Sequence, residues 1–536
     1  SVGGDVNAWG LNDYGQLGTG NTESVYAPTL VPVLRNKNTT RISAGSEHGL
    51  ALSKEGFVWS WGHNEGGQLG LSDSTLSYCD GKSLQSNCDG ARPGRMLFPS
   101  SLSDLWGEHV VDISSMFDHN LAVTRSGWTY AWGRNSHGQL GTGDTRDQNV
   151  PVKVRDSQAN RFVIARTGGS HSIAVSAMGK VFVWGSGAYG QLGQDLEGLG
   201  ERSTNSRLAL IPILVQALED KVVVQIAAGW SHCMALTVDG EAWVWGGNDR
   251  GQLGLGDNLH RFAPVKVQES VSGGGRQIGL AISIAGGHGH SLWLNASGLV
   301  FSAGRNDGGQ LGCGDSIDRN VVSLVDIPDR VWCDTPFGSE VSNSYADLVC
   351  VNSKVREDCG QRCVGIPERK DCGPRNSTLG LVASDCEVLM PTSNLGLEVH
   401  AGEYTSYVLS RDQNLFAWGL NDNGQVGLDP VLWGKFVRKP RLLISMYGKN
   451  TTSIAGGRQH TVARSDREGF AINTFSPESG PVNGGTALFI IGQGFNTFSG
   501  GLECRLAYYS NGTHTSRLND INNGSMYVLT VPAVRY

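Results

Sequence analysis

Histidine and cysteine are the residues whose placement first suggests chemistry. Six of the 13 histidines, His48, His119, His171, His232, His290 and His460, occupy one recurring position, A-G-x-x-H or a close variant. Imidazoles can bind metal, relay protons or sense pH. One histidine per repeat leaves them too far apart to share an ion, so the pattern predicts a structural role and no metal set. His288-Gly289-His290 has chelating spacing but lies inside an ordinary copy of the same element, and it reads as structure too.

The 11 cysteines are unevenly placed. Cys79 and Cys88 fall in one insertion (72–96), and Cys333, Cys350, Cys359, Cys363, Cys372 and Cys386 crowd a second, polar one (329–396). Cys359-x3-Cys363-x8-Cys372 as a zinc site would lack a paired C-x-x-C and a nearby histidine. Disulfides are the better reading, because the second insertion has too few apolar residues for its own core, and they imply an oxidising compartment. Six cysteines allow about 15 pairings, which spacing does not resolve. Cys233 reads as an inert buried thiol. Cys313 and Cys504 lack an evident partner.

Gly81-Lys82-Ser83 lacks the upstream glycine of a phosphate loop, Leu76 standing in its place. Gly185-x-Gly187-x-x-Gly190 spells a dinucleotide fingerprint but is one copy of a repeated loop. Neither G-x-S-x-G nor H-E-x-x-H occurs. The expectation is no enzyme and no cofactor.

The elements that must position these residues are repeats. AWGLNDYGQLG (8–18) recurs at 60–70, 131–141, 183–193, 244–254, 302–312 and 417–427, with Trp9, Trp61, Trp132, Trp184, Trp245 and Trp418 at its tryptophan position and Ala303 in the sixth copy. An A-G-x-x-H strand precedes every copy but the first, and a last one (455–464) stands alone. The chain therefore opens on a half-unit and ends its repeats on the complementary half. Joining them closes a ring of seven sheets and removes free sheet edges. The seven loops hold 25 of the 75 glycines, so the glycine excess is assigned largely to them.

These motifs resemble the regulator of chromosome condensation repeat family, over residues 1–469. The resemblance implies an all-β, seven-bladed β-propeller closed by its N- and C-terminal strands. Departures are Ala303 for Trp, Gly187 for Asn, Val426 for Leu and Thr405 for His. From 470 to 536, S-P-x-S-G-P-x-x-G-G within alternating strands resembles an IPT/TIG immunoglobulin-like β-sandwich. Its 67 residues are short for that fold, so it is expected to be truncated.

Net charge is −7 and no basic run stands out, which excludes a nucleic-acid surface. Apolar runs are too short for a helical membrane span. The chain opens at Ser1 without a methionine or an apolar leader, which reads as a processed N-terminus. Sequons occur at Asn38, Asn295, Asn376, Asn450, Asn511 and Asn523. Asn38 and Asn450 precede repeat strands and Asn295 lies at a hairpin turn, positions expected to suit N-glycans. The two insertions leave different ends of an antiparallel meander and are expected on opposite faces.

Together these features predict a secreted, non-enzymatic structural protein that binds protein partners or itself, in a surface or filamentous structure. Algal ciliary hairs (mastigonemes) are one setting it resembles. A secreted or receptor-ectodomain binding propeller is one alternative. Another, taken from the family's founding member, is a guanine-nucleotide exchange factor that binds chromatin.

Overall fold

A computed structural model describes residues 4–71, 90–96, 109–194, 203–204, 207–267, 278–328, 331–333, 386–388 and 396–466 (412 and 447–448 excepted), together with backbone strands between 471 and 530. The insertion cysteines Cys79, Cys88, Cys350, Cys359, Cys363 and Cys372, and the sequons Asn376, Asn511 and Asn523, lie outside the described residues.

Seven antiparallel blades form the propeller: four are separate four-stranded sheets, blade 4 gains a short fifth strand, Ser203–Thr204, and blades 1 and 2 are joined in one eight-stranded sheet. The pattern is clear in blade 5, with an inner strand Val223–Ala228, a second strand His232–Thr237, a third Ala242–Gly246 and an outer Arg261–Lys266. Second strands are buried along their whole length, as in HSIAVS of blade 4 and HCMALT of blade 5. A strand covered on both faces reads as a continuous apolar run, which is why these segments do not alternate. The apolar clusters straddle blade junctions. One unites Leu121 of blade 3, Ile173 and Trp184 of blade 4, and Trp245 of blade 5.

Blade 1 is assembled from both ends of the repeat region. Its inner strands are Thr451–Gly456 and His460–Asp466, and its outer ones are Gly4–Gly10 and Val25–Leu30. Gly4 pairs with Asp466 and Gly10 with His460, an unbroken seven-residue register. This is the split-blade closure that the unpaired half-repeats predict.

Strand direction defines two faces. Inner-to-second connections and the W-G-x-N-x-x-G-Q-L-G loops emerge on one, here the loop face. Hairpin turns and blade-to-blade connections emerge on the other. The connection from Gly62 to Gly90, carrying the first insertion, therefore leaves the loop face, and that from Val325 to Gly396 leaves the turn face.

Beyond the propeller, strands Ala471–Ser476, Ala487–Gln493, Met526–Thr530 and Asn519–Asp520 form one sheet in that order, and Glu503–Tyr508 pairs with Gly512–Arg517. Two small sheets built from alternating strands match a β-sandwich. No helix among the described residues is long and apolar enough to cross a membrane.

Candidate protein-docking face

The repeated side chains hold neighbouring blades together. Each repeat tryptophan is buried and donates its indole Nε1–H to the backbone carbonyl of the preceding blade's loop glutamine. Trp9 reaches Gln425 at 3.0 Å, Trp61 Gln16 at 2.8 Å, Trp132 Gln68 at 3.0 Å, Trp184 Gln139 at 2.8 Å, Trp245 Gln191 at 2.9 Å and Trp418 Gln310 at 2.9 Å. The loop itself is tied internally. Asn135 accepts from the Leu140 N–H at 2.9 Å and donates to the Asp144 carbonyl, while Gln139 Oε1 accepts from the His137 N–H. The glycine after each repeat tryptophan has φ near 100°. At Gly133 an added Cβ would lie 2.4 Å from the Asp118 carbonyl, so the position admits no side chain.

The six repeat histidines are fully buried. His119 Nε2 meets Ser172 Oγ of the next blade at 2.9 Å, and that hydroxyl donates to the Gln139 carbonyl at 2.8 Å. With its proton committed, the hydroxyl must accept, so His119 carries its hydrogen on Nε2. His232–Ser291 and His290–Ser406 repeat the arrangement at 3.0 and 2.9 Å. His171 meets the Cys233 thiol at 3.1 Å, and His48 meets Asn120 at 2.7 Å. Burial holds His119, His171, His232, His290 and His460 down to about 3, so these rings stay neutral. Burial likewise pushes the Cys233 thiol well up.

The residue after the histidine position is inconspicuous in the sequence because its identity varies: Gly49, Asn120, Ser172, Cys233, Ser291, Ser406 and Thr461. Lined up on that position, five of the seven carry a side-chain N–H or O–H donor, which is the signal that could have found them. Where Thr405 replaces histidine, the Tyr407 hydroxyl bridges Thr405 at 2.8 Å and Thr461 at 2.6 Å. Where Ala303 replaces tryptophan, the fully buried Trp293 on the adjacent strand stands in the gap, both lying 3.4 Å from a Cβ placed on Gly254.

On the loop face, seven short loops surround the axis. Their backbones are chained at six of the seven blade junctions: Ser46 N–H to the Phe117 carbonyl, Gly169 to Trp230, Trp230 to Gly287, His288 to Glu403, Glu403 to Gly457, and Arg458 to Ser46, at 3.0–3.3 Å. These loops present an aromatic row. Tyr189 lies 5.9 Å from Trp230, Trp230 stacks on His288 at 5.2 Å, His288 stacks on Tyr404 at 5.2 Å, and the Arg305 guanidinium covers Tyr404 at 5.2 Å. Trp230 is 39% exposed. Polar pairs lie on the same face: Arg250–Asp318 at 3.3 Å, His260–Asp249 at 3.4 Å and Arg134–Asp118 at 3.6 Å. A half-buried aromatic and arginine cluster that opens on the exposed Trp230, with polar pairs around it, has the anatomy of a protein interface.

Two titratable groups here are displaced. Burial, then the nearby Arg305 and Arg458, hold His288 down to about 4. Burial pushes Glu403 up to about 7 against the opposing pull of Ser46, whose hydroxyl lies 2.5 Å from it. Along the axis runs a polar channel of about 530 Å³. Within it Asp112 is clamped by Arg166 at 2.8 Å and Arg41 at 3.3 Å.

His288 and His290 diverge, one stacked on the face and the other buried against Ser406. No group of three or more metal-binding side chains occurs among the described residues. Asn38 and Asn450 are half-buried at loop positions with positive φ. Asn295 departs from the expectation of an accessible acceptor. It is 8% exposed, donates to the Ile278 carbonyl at 3.0 Å and accepts from Leu299 N–H at 2.9 Å, so its amide is consumed in closing the turn.

Comparison with known proteins agrees with this architecture. The regulator of chromosome condensation (RCC1) repeat matches residues 3–52, 55–123, 126–175, 178–236, 239–294 and 412–464, and the IPT/TIG domain matches 471–534. The chain is 34% identical over 344 residues to the ultraviolet-B receptor UVR8 of Arabidopsis thaliana, covering 64% of this chain and 70% of that one. It is 33% identical over 315 residues to the human E3 ubiquitin-protein ligase HERC2, covering 58% of this chain but 6% of the ligase. Among solved structures, Saccharomyces cerevisiae Prp20p, described with its binding to Gsp1p and histones, superposes with a TM-score of 0.60 at 23% identity, over 87% of this chain and 92% of that one.

Proposed function

The chain belongs to the regulator of chromosome condensation repeat family, and on that premise we propose that it is a non-enzymatic, extracellular scaffold whose loop face docks a protein partner or a further copy of itself. The row Trp230–His288–Tyr404–Arg305, with Trp230 exposed and the other three half-buried, carries this reading. Aromatic rings supply contact area at little cost in side-chain ordering, Arg305 is already held by Tyr404 and Asp307, and the row rests on hydrogen-bonded loops that do not have to be organised on binding. A rigid propeller followed by a sandwich domain suits a subunit of a surface or filamentous assembly. The polar, cysteine-dense insertion and the half-buried loop sequons Asn38 and Asn450 support an oxidising, glycosylating route.

The test uses material purified from its native source or a secretory host. Cross-linking with mass spectrometry should place partner or self contacts at the loop face, and Trp230→Ala with Arg305→Ala should weaken that association at least tenfold. Unchanged association would remove the loop face from the proposal. A mobility shift on glycosidase treatment is expected, and its absence would remove the extracellular part. The exchange-factor alternative predicts accelerated nucleotide release from a small GTPase.

A further inference from the structure

The connection between blades 6 and 7 leaves the turn face after Val325 and returns at Gly396. It is pinched near its base by a two-stranded antiparallel ladder, Val331–Cys333 with Cys386–Val388. The register pairs Val331 with Val388, Trp332 with Glu387, and Cys333 with Cys386. The cysteine pair is thus the last rung, at the end farther along the chain from the propeller.

Residues directly opposite in an antiparallel ladder share a face, with Cα atoms about 4.5 or 5.5 Å apart according to the type of pair. A disulfide needs Cα atoms about 4.4–6.8 Å apart. Either type of pair meets that requirement with no backbone movement. A three-rung ladder is also too short to be stable alone, so a covalent rung at its open end is the natural fastening.

We propose that Cys333 and Cys386 form a disulfide that closes the neck of the blade-6 insertion. Two thiols give up two protons and two electrons to a protein disulfide of the oxidoreductase class, which leaves as a dithiol while the new S–S bond forms. The fifteen pairings of six cysteines then fall to three, among Cys350, Cys359, Cys363 and Cys372. The bond rests on the extracellular reading only for its oxidant. Its pairing rests on the ladder.

The chain, produced through a secretory route, is blocked with N-ethylmaleimide, deglycosylated and digested unreduced with trypsin plus a glutamate-specific protease. Glu340 lies between Cys333 and Cys350, so cleavage there separates the two. The expected product is a linked pair of peptides containing Cys333 and Cys386 that separates on reduction. In Cys333→Ser, Cys386 should become the newly labelled thiol. Linkage of Cys333 to another cysteine, or labelling of a different residue in the variant, overturns the pairing. Free Cys333 and Cys386 beside otherwise bonded cysteines overturns it too, while leaving the oxidising compartment in place. Free thiols throughout the insertion overturn both.

Discussion

At the scale of single residues, the departures from the repeat are the informative positions, because each is answered by a change elsewhere. Ala303 vacates the volume of an indole, and Trp293, where most blades place an alanine, fills it from the neighbouring strand. Trp293→Ala should therefore cost about 3–5 kcal/mol, as expected for emptying a large buried site. Ala303→Trp alone should overpack the same space. The double variant Trp293→Ala/Ala303→Trp should recover most of that loss, since it restores the arrangement of the other blades and lets an indole donate to the Gln252 carbonyl, which accepts from the Ser291 hydroxyl. Urea unfolding of all three variants gives the coupling energy. A double variant no more stable than the sum of the singles would show that the two residues do not share a site. Tyr407 answers Thr405 in the same way, its hydroxyl completing the link to Thr461 that a histidine would make. Neither pairing was legible in the sequence, because each residue looks like an isolated lapse until the fold brings its counterpart alongside.

At the scale of elements, the second strands carry the molecule's acid sensitivity. A histidine held near 3 when folded and near 6.5 when unfolded binds its proton only on unfolding. The stability it confers is complete above about pH 6.5 and falls as the pH drops toward 3, by up to about 1.4 kcal/mol per pH unit for each ring. With several such strands, urea midpoints should decline steeply between pH 6 and 4. His171→Gln should lower the slope by about one proton. A wild-type midpoint flat over that range would mean that the folded rings titrate normally. Glu403 acts in the opposite sense. Raised to about 7, its stabilisation is complete below about 4.5 and is lost as the pH climbs through 7, so Glu403→Gln should gain on wild type at pH 8. Its neighbours Arg458, Asp118 and Glu47 set how far. The repeat made these strands and their histidines readable at once, because each blade is one local unit written seven times. The aromatic row was not readable. Tyr189, Trp230, His288 and Tyr404 occupy loop positions that the motif leaves free, and only the ring geometry makes them neighbours.

At the scale of the whole molecule, stability depends on where the ring is sealed. Six blades are continuous in sequence, while blade 1 joins Gly4–Gly10 to His460–Asp466 across the entire propeller. The first strand also brings Trp9, whose indole reaches Gln425 of blade 7 and which joins the apolar cluster that runs through blades 6 and 7. Closing so long a loop has an entropic cost that grows only slowly with length, whereas the ladder, the indole and the buried contacts act together once it is closed. Deleting residues 1–10 should thus do more than subtract one strand. It exposes the edge of His460–Asp466, frees a blade that also borders blade 2, and opens the ring to unfolding blade by blade, as in linear repeat arrays. A single cooperative thermal transition should be replaced by a broad, earlier one, with amide exchange fastest in blades 1 and 7. A circular permutant that joins Asp466 to Gly4 and opens the chain between two other blades should retain the wild-type transition, because its ring can still be completed by sheet contacts. If the deletion instead melts as sharply and as late as the intact chain, closure contributes little, and the blade interfaces alone hold the propeller.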